Sequence, residues 1–113
     1  MVSKPYVPNR GDFVWLQLDP RVGHEQSGRR PALVLSRRLL AEKTGLMVIC
    51  PITSKPKGMP YEIAVTSTRI TGAILALHVR SVDYVAWETA FIATAPASVL
   101  AEATQKAGLL IGG

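Results

Sequence analysis

From Phe13 to Leu18 the chain alternates: Phe13, Trp15 and Gln17 fall on one side of an extended backbone and Val14, Leu16 and Leu18 on the other. β-Favouring residues stand on both sides, so a first strand is expected there, entered from the turn signal Gly11–Asp12. The runs ALVLS (32–36), LMVICPI (46–52), YEIAVT (61–66), GAILALHV (72–79), VDYVAW (82–87) and AFIAT (90–94) suit further short strands. Pro51 implies an edge position or a bulge in the run that holds it.

Two segments have a helical period instead. Ser36 is placed to cap a short helix over 37–43, which Gly45 would end in a left-handed conformation after Thr44. Beyond Pro96, Val99, Ala103, Ala107 and Leu110 recur at helical spacing, so an amphipathic helix is expected to close the chain. DPRVGHEQSGRRP (19–31) and TSKPKGMP (53–60) have no apolar period and are expected to be charged loops. The first is long, and loops of that length in a compact domain tend to carry function.

This pattern predicts an α+β, mostly β domain over 1–113: a small antiparallel sheet or barrel with a C-terminal helix packed on it. Continuous apolar runs such as GAILALHV hold more buried surface than a small open sheet needs, which favours a homodimer. A chain of 113 residues, 48% hydrophobic and 19% charged, can enclose such a core without staples. No apolar run is long enough to cross a bilayer and MVSKPYVPNRGD lacks the core of a secretory signal, so a cytoplasmic protein with no membrane contact is expected. The one cysteine, Cys50, has no disulfide partner and is expected to be a buried small hydrophobe.

Charge separates the two halves. Residues 1–60 carry ten Lys/Arg against four Asp/Glu, whereas residues 61–113 carry three against four. A polyanion would meet the first half, although a basic surface kept for solubility gives the same totals. If 32–36 and 46–52 are neighbouring strands, the two charged loops meet at one end of the sheet. Glu25, Arg29, Arg30, Thr53, Lys55 and Lys57 would then share a cleft.

Were that cleft to hold RNA, metal-free cleavage needs a base for the 2′-hydroxyl, an acid for the leaving 5′-oxygen and cations for the phosphorane charge. Glu25, Arg30 and Thr53 have the groups to divide those roles. A guanidinium is a reluctant base and a good fixed cation. The simpler account of Glu25 and Arg30 is a surface ion pair worth about 0 to 1 kcal/mol. His24 is a potential proton shuttle on a loop where histidines are usually just solvated. His78, inside an apolar run, is expected to be a core or interface residue. Core packing is the expectation for Trp15 and Trp87, with Tyr61 a further candidate for base stacking. HxH, HExxH, CxxC, GxGxxG, P-loop and GxSxG patterns are all missing, so any catalysis should need no cofactor.

YVPNRGDFVWLQLDPRVGHEQSGRRPALVLS resembles the N-terminal signature of the MazF/PemK/Kid toxins: a GD turn, a strand ending in DP, a G-x-E-Q-x-G-x-R-P loop and an apolar strand ending in Ser. CPITSKPKGMPYEI resembles their second block, P-x-T followed by K-G-x-P. The resemblance implies a dimeric SH3-like barrel of plasmid-maintenance-toxin type. It further implies a type II toxin that cuts single-stranded mRNA at short motifs, leaves 2′,3′-cyclic phosphate and 5′-hydroxyl ends, and arrests growth. It implies an antitoxin partner whose acidic, flexible tail occupies the RNA groove. The family's catalytic arginine falls on Arg30, its loop glutamate on Glu25 and its P-x-T threonine on Thr53. Arg30 is thereby assigned to phosphate stabilisation and proton transfer, Thr53 to a hydrogen bond on the scissile phosphate, and Glu25 to orienting the arginine or the RNA. Gln26, Arg29, Lys55, Lys57 and His24 become RNA contacts.

Two departures stand out. Relatives often have Asp-Gln where this chain has Leu77 and His78, so a mechanism using that aspartate as base cannot operate here. The stretch after RSVD, commonly basic in relatives, is YVAWETAFIA. A same-fold toxin aimed at a protein such as gyrase, or a silent nucleic-acid-binding module, are the competing readings; the retained Glu25, Arg30 and Thr53 argue against the first.

Overall fold

The computed structural model describes residues 5–17 and 28–112. Its strands are β1 (Asp12–Gln17), β2 (Arg29–Val34), β3 (Leu46–Thr53), β4 (Glu62–Thr66), β5 (Thr71–Leu75), β6 (Arg80–Asp83) and β7 (Ala90–Thr94). Helix α1 (Arg38–Thr44) joins β2 to β3, and α2 (Ala97–Gly108) follows β7. All pairings are antiparallel, in the order β4-β5-β3-β2-β1-β7, with β6 also on β3.

The apolar runs read as continuous because both faces of the sheet are covered. Phe13, Leu33, Cys50, Ile74 and Ile92 face one core, which α2 closes with Ala103 and Ala107. Val14, Leu16, Ala32, Val34, Met47 and Ile49 face a second, covered by Tyr6, Tyr84 and Trp87. Leu33 is fully buried, so Leu33→Ala is expected to cost about 2–5 kcal/mol in denaturant unfolding with an unchanged m-value.

Several boundaries differ from the sequence expectation. β2 begins at Arg29, inside the stretch read as loop, because β1 pairs with it as far as Gln17–Arg29. β3 is central, not an edge strand. Pro51 is tolerated because it lies between Ile49, the last residue that β6 reaches, and Ile52, the first that β5 reaches, where a missing N–H removes no ladder bond. Ser36 does not cap α1: its Oγ accepts from the Val48 N–H at 2.8 Å, and Asn9 Oδ1 instead accepts from the Arg38 N–H at 2.9 Å. Gly45 does end α1 in the left-handed region, at φ 76°. The run 72–79 splits into β5 and a 3-10 turn, Ala76–His78, and the run 82–87 leaves β6 for turns after Asp83.

Candidate functional site

β2 and β3 run side by side from Val34–Ile49 to Ala32–Pro51 and then part, as β3 turns to pair with β5 through Ile52 and Thr53. Arg29, Arg30 and Pro31 remain on β1 alone. The divergence opens a hollow of about 350 Å³ between strand ends, lined by Arg29, Arg30, Ser54, Arg69 and Trp15. Pro31 costs nothing there, since the side of β2 it would serve has no strand beside it.

Three guanidinium groups therefore border one opening. Arg29 lies 4.9 Å from the Trp15 ring centroid, a cation–π contact that fixes an otherwise flexible side chain. Arg30, exposed at the strand's start, donates from Nη1 to the Arg29 carbonyl at 3.2 Å. Arg69 reaches in from the turn between β4 and β5 and is tethered by an Nη1 bond to the Ile92 carbonyl at 2.8 Å. Among the described residues that line the hollow there is no carboxylate, and three guanidinium groups favour an anion there.

Continued two residues past Ala32–Pro51, the strand register sets Arg30 across from Thr53. Thr53 nevertheless lines a second hollow of about 200 Å³, with Lys55, Lys57, Tyr61 and His78. The single cleft expected from sequence is thus two neighbouring hollows divided by the end of β3: Arg29 and Arg30 border one, Thr53, Lys55 and Lys57 the other. Thr53 Oγ1 accepts from the Lys55 N–H at 3.1 Å, which leaves its own proton to be donated outward, as a bond to a phosphate oxygen requires. His24, Glu25 and Gln26 lie outside the described residues.

The loop from 54 to 60 is held in place. Glu62 accepts from the backbone N–H groups of Lys57 and Gly58 at 3.0–3.2 Å, and Lys106 Nζ donates to the Pro60 carbonyl at 2.8 Å. Ser54 stands beside Thr53 in the second charged loop, whereas no motif marks Arg69, and only folding brings TSTRIT beside GRRP. His78, expected in the core or at an interface, is not in the core: it is exposed on the single chain and lies against Tyr61 with ring centroids 5.9 Å apart. Trp87 packs on the second core as expected, with Arg80 5.0 Å from its ring centroid.

Cys50 is buried as expected, and burial pushes its thiol up to about 12. The native protein should resist thiol reagents at pH 8, and labelling should appear only as it unfolds in denaturant. Because the folded thiol holds its proton more tightly than the unfolded one, this group's contribution to stability is complete below pH 9 and declines as pH rises toward 12.

Residues 9–111 match the family model for the PemK-like, MazF-like toxin of type II toxin-antitoxin systems. The chain is 42% identical over 84 residues to the endoribonuclease toxin MazF of Escherichia coli K12, spanning 74% of this chain and 75% of that one. The crystal structure of MazF from Deinococcus radiodurans superposes with a TM-score of 0.85 at 47% identity, covering 96% of this chain and all of that one. A MazE-MazF crystal structure from the same organism matches with a TM-score of 0.84 at 43% identity, over 96% and 98% of the two chains. No helix among the described residues is long and apolar enough to cross a membrane.

Proposed function

The chain belongs to the PemK-like, MazF-like toxins of type II toxin-antitoxin systems, and from that premise we propose that Arg30 and Thr53 cut single-stranded RNA held across the two hollows. It is an endoribonuclease toxin. The observation that carries the mechanism is the parting of β2 and β3, which sets a guanidinium and a hydroxyl donor on opposite strand ends.

The 2′-oxygen attacks phosphorus as its proton leaves, the P–O5′ bond breaks, and the 5′-oxygen takes up a proton. The products are a 2′,3′-cyclic phosphate and a 5′-hydroxyl, with no metal or other cofactor. Arg30 offsets the charge on the equatorial oxygens and shares in proton transfer, and Thr53 donates to the same phosphate. Glu25 orients the arginine or the RNA. Arg29, Lys55, Lys57, His24 and Gln26 hold the strand, and Arg69 joins them. Thr53→Val, which keeps the shape and removes the donor, is expected to lower kcat about 10- to 100-fold with little change in KM. Single-turnover cleavage of a fluorescent single-stranded RNA measures it, and a full-speed variant would remove Thr53 from the mechanism.

Residues 1–113 act as one domain in the cytoplasm, where messenger RNA is, and the consequence of activity is growth arrest. Solved relatives include MazE-MazF complexes. The corresponding partner here is a cognate antitoxin whose acidic, flexible tail lies on the cations of the two hollows. The toxin works as a homodimer, a reading supported by the exposed Phe91, Leu109 and Leu110.

A further inference from the structure

We propose that Tyr61 and His78 form a nucleobase subsite beside Thr53 and that His78 determines which base is accepted at one position of the cut sequence. The inference rests on the ribonuclease reading above and names a part of its specificity.

His78 ends the 3-10 turn that follows β5. That turn is fixed from two sides: the Ala76 N–H donates to the Tyr61 carbonyl at 3.4 Å, and the Ala76 carbonyl accepts from Cys50 Sγ at 3.7 Å. The fold therefore presents the imidazole without using it. His78 is exposed, the Tyr61 ring lies against it at a 24° interplanar angle, and among the described residues its ring nitrogens have no hydrogen bond. An aromatic pair with an unoccupied polar edge is suited to a splayed-out base, which stacks on rings and is read along its edge.

The surroundings point to the same ligand. Lys55 and Lys57 line the same hollow, neither has an ion-pair partner among the described residues, and the Glu62 clamp on their loop holds that segment in place. Thr53, which lines the same hollow, is the residue proposed above to meet the scissile phosphate. A nucleotide whose phosphate meets Thr53 and the lysines has its base within reach of Tyr61 and His78. The hollow of about 200 Å³ has room for a base. Lys55, Lys57, Tyr61 and Glu62 are the charged or titratable groups that share this hollow with His78.

Because His78 is exposed and bears no structural hydrogen bond, His78→Ala and His78→Gln should both fold. The experiment is to digest a long single-stranded RNA of mixed sequence with wild type and both variants and to map every new 5′ end. The expected result is continued cutting, with preference lost at one position of the motif in His78→Ala and changed there in His78→Gln, and Tyr61→Ala raising KM about 10-fold. An identical motif in all proteins overturns the proposal. Loss of cleavage in both variants with RNA binding intact also overturns it, by moving His78 into the chemistry. Wild type leaving RNA uncut would instead refute the ribonuclease reading, so the two failures are distinguishable.

Discussion

Arg30→Ala is expected to reduce RNA cleavage by about 100-fold or more while leaving the folded state within about 0.5 kcal/mol of wild type. The two effects separate because Arg30 stands exposed at the start of β2, contributing nothing to either core. In the proposed mechanism its value is a cation at the point where β3 has turned away and a hollow opens. Arg30→Lys should recover only a small part of the rate, since an ammonium supplies charge without the planar fork that meets two phosphate oxygens. Matched denaturation curves and single-turnover rates for the three proteins check both halves of the statement. An Arg30→Ala protein cutting at wild-type speed would remove the arginine from the mechanism.

Gly72→Ala is expected to harm both the fold and the site. A β-carbon on Gly72 would lie 2.1 Å from the Thr53 carbonyl oxygen, and the backbone there has φ 158°, a value that side-chain-bearing residues rarely adopt. β5 can accept alanine only by moving away from β3 at the pair Thr53–Ala73, the pairing that holds Thr53 at the hollow's edge. The expected loss is about 3 kcal/mol in denaturant unfolding, accompanied by a fall in cleavage rate at temperatures where the variant is still folded. An alanine variant with wild-type stability and rate would show that the strand end yields without consequence.

These two residues differ in how visible they are beforehand. Arg30 sits in a crowded motif, and its importance is legible in GRRP before any coordinates are known. Gly72 looks like an ordinary strand glycine until β5 is seen to pass against the Thr53 carbonyl. The same division holds elsewhere. β1, β7 and α2 follow from their periods, because burial of one side of an element needs only local spacing. The start of β2 does not, because pairing with β1 overrides the turn-forming composition of RRP. Pro51 implies an edge or a bulge, whereas it is tolerated in a central strand through a change of strand partner that no local pattern encodes. Likewise Arg69 and Arg30 are 39 positions apart and become neighbours only through the sheet.

The proposed mechanism has the side chains of the two hollows cut RNA unaided. The most direct test is to incubate the purified protein in EDTA with a long single-stranded RNA and to determine the position and chemistry of each new end. Discrete cuts at a recurring short motif, with 5′-hydroxyls on one side and 2′,3′-cyclic phosphates on the other, are the predicted result. RNA left intact by a folded protein that still arrests growth would contradict it and redirect attention to a protein target.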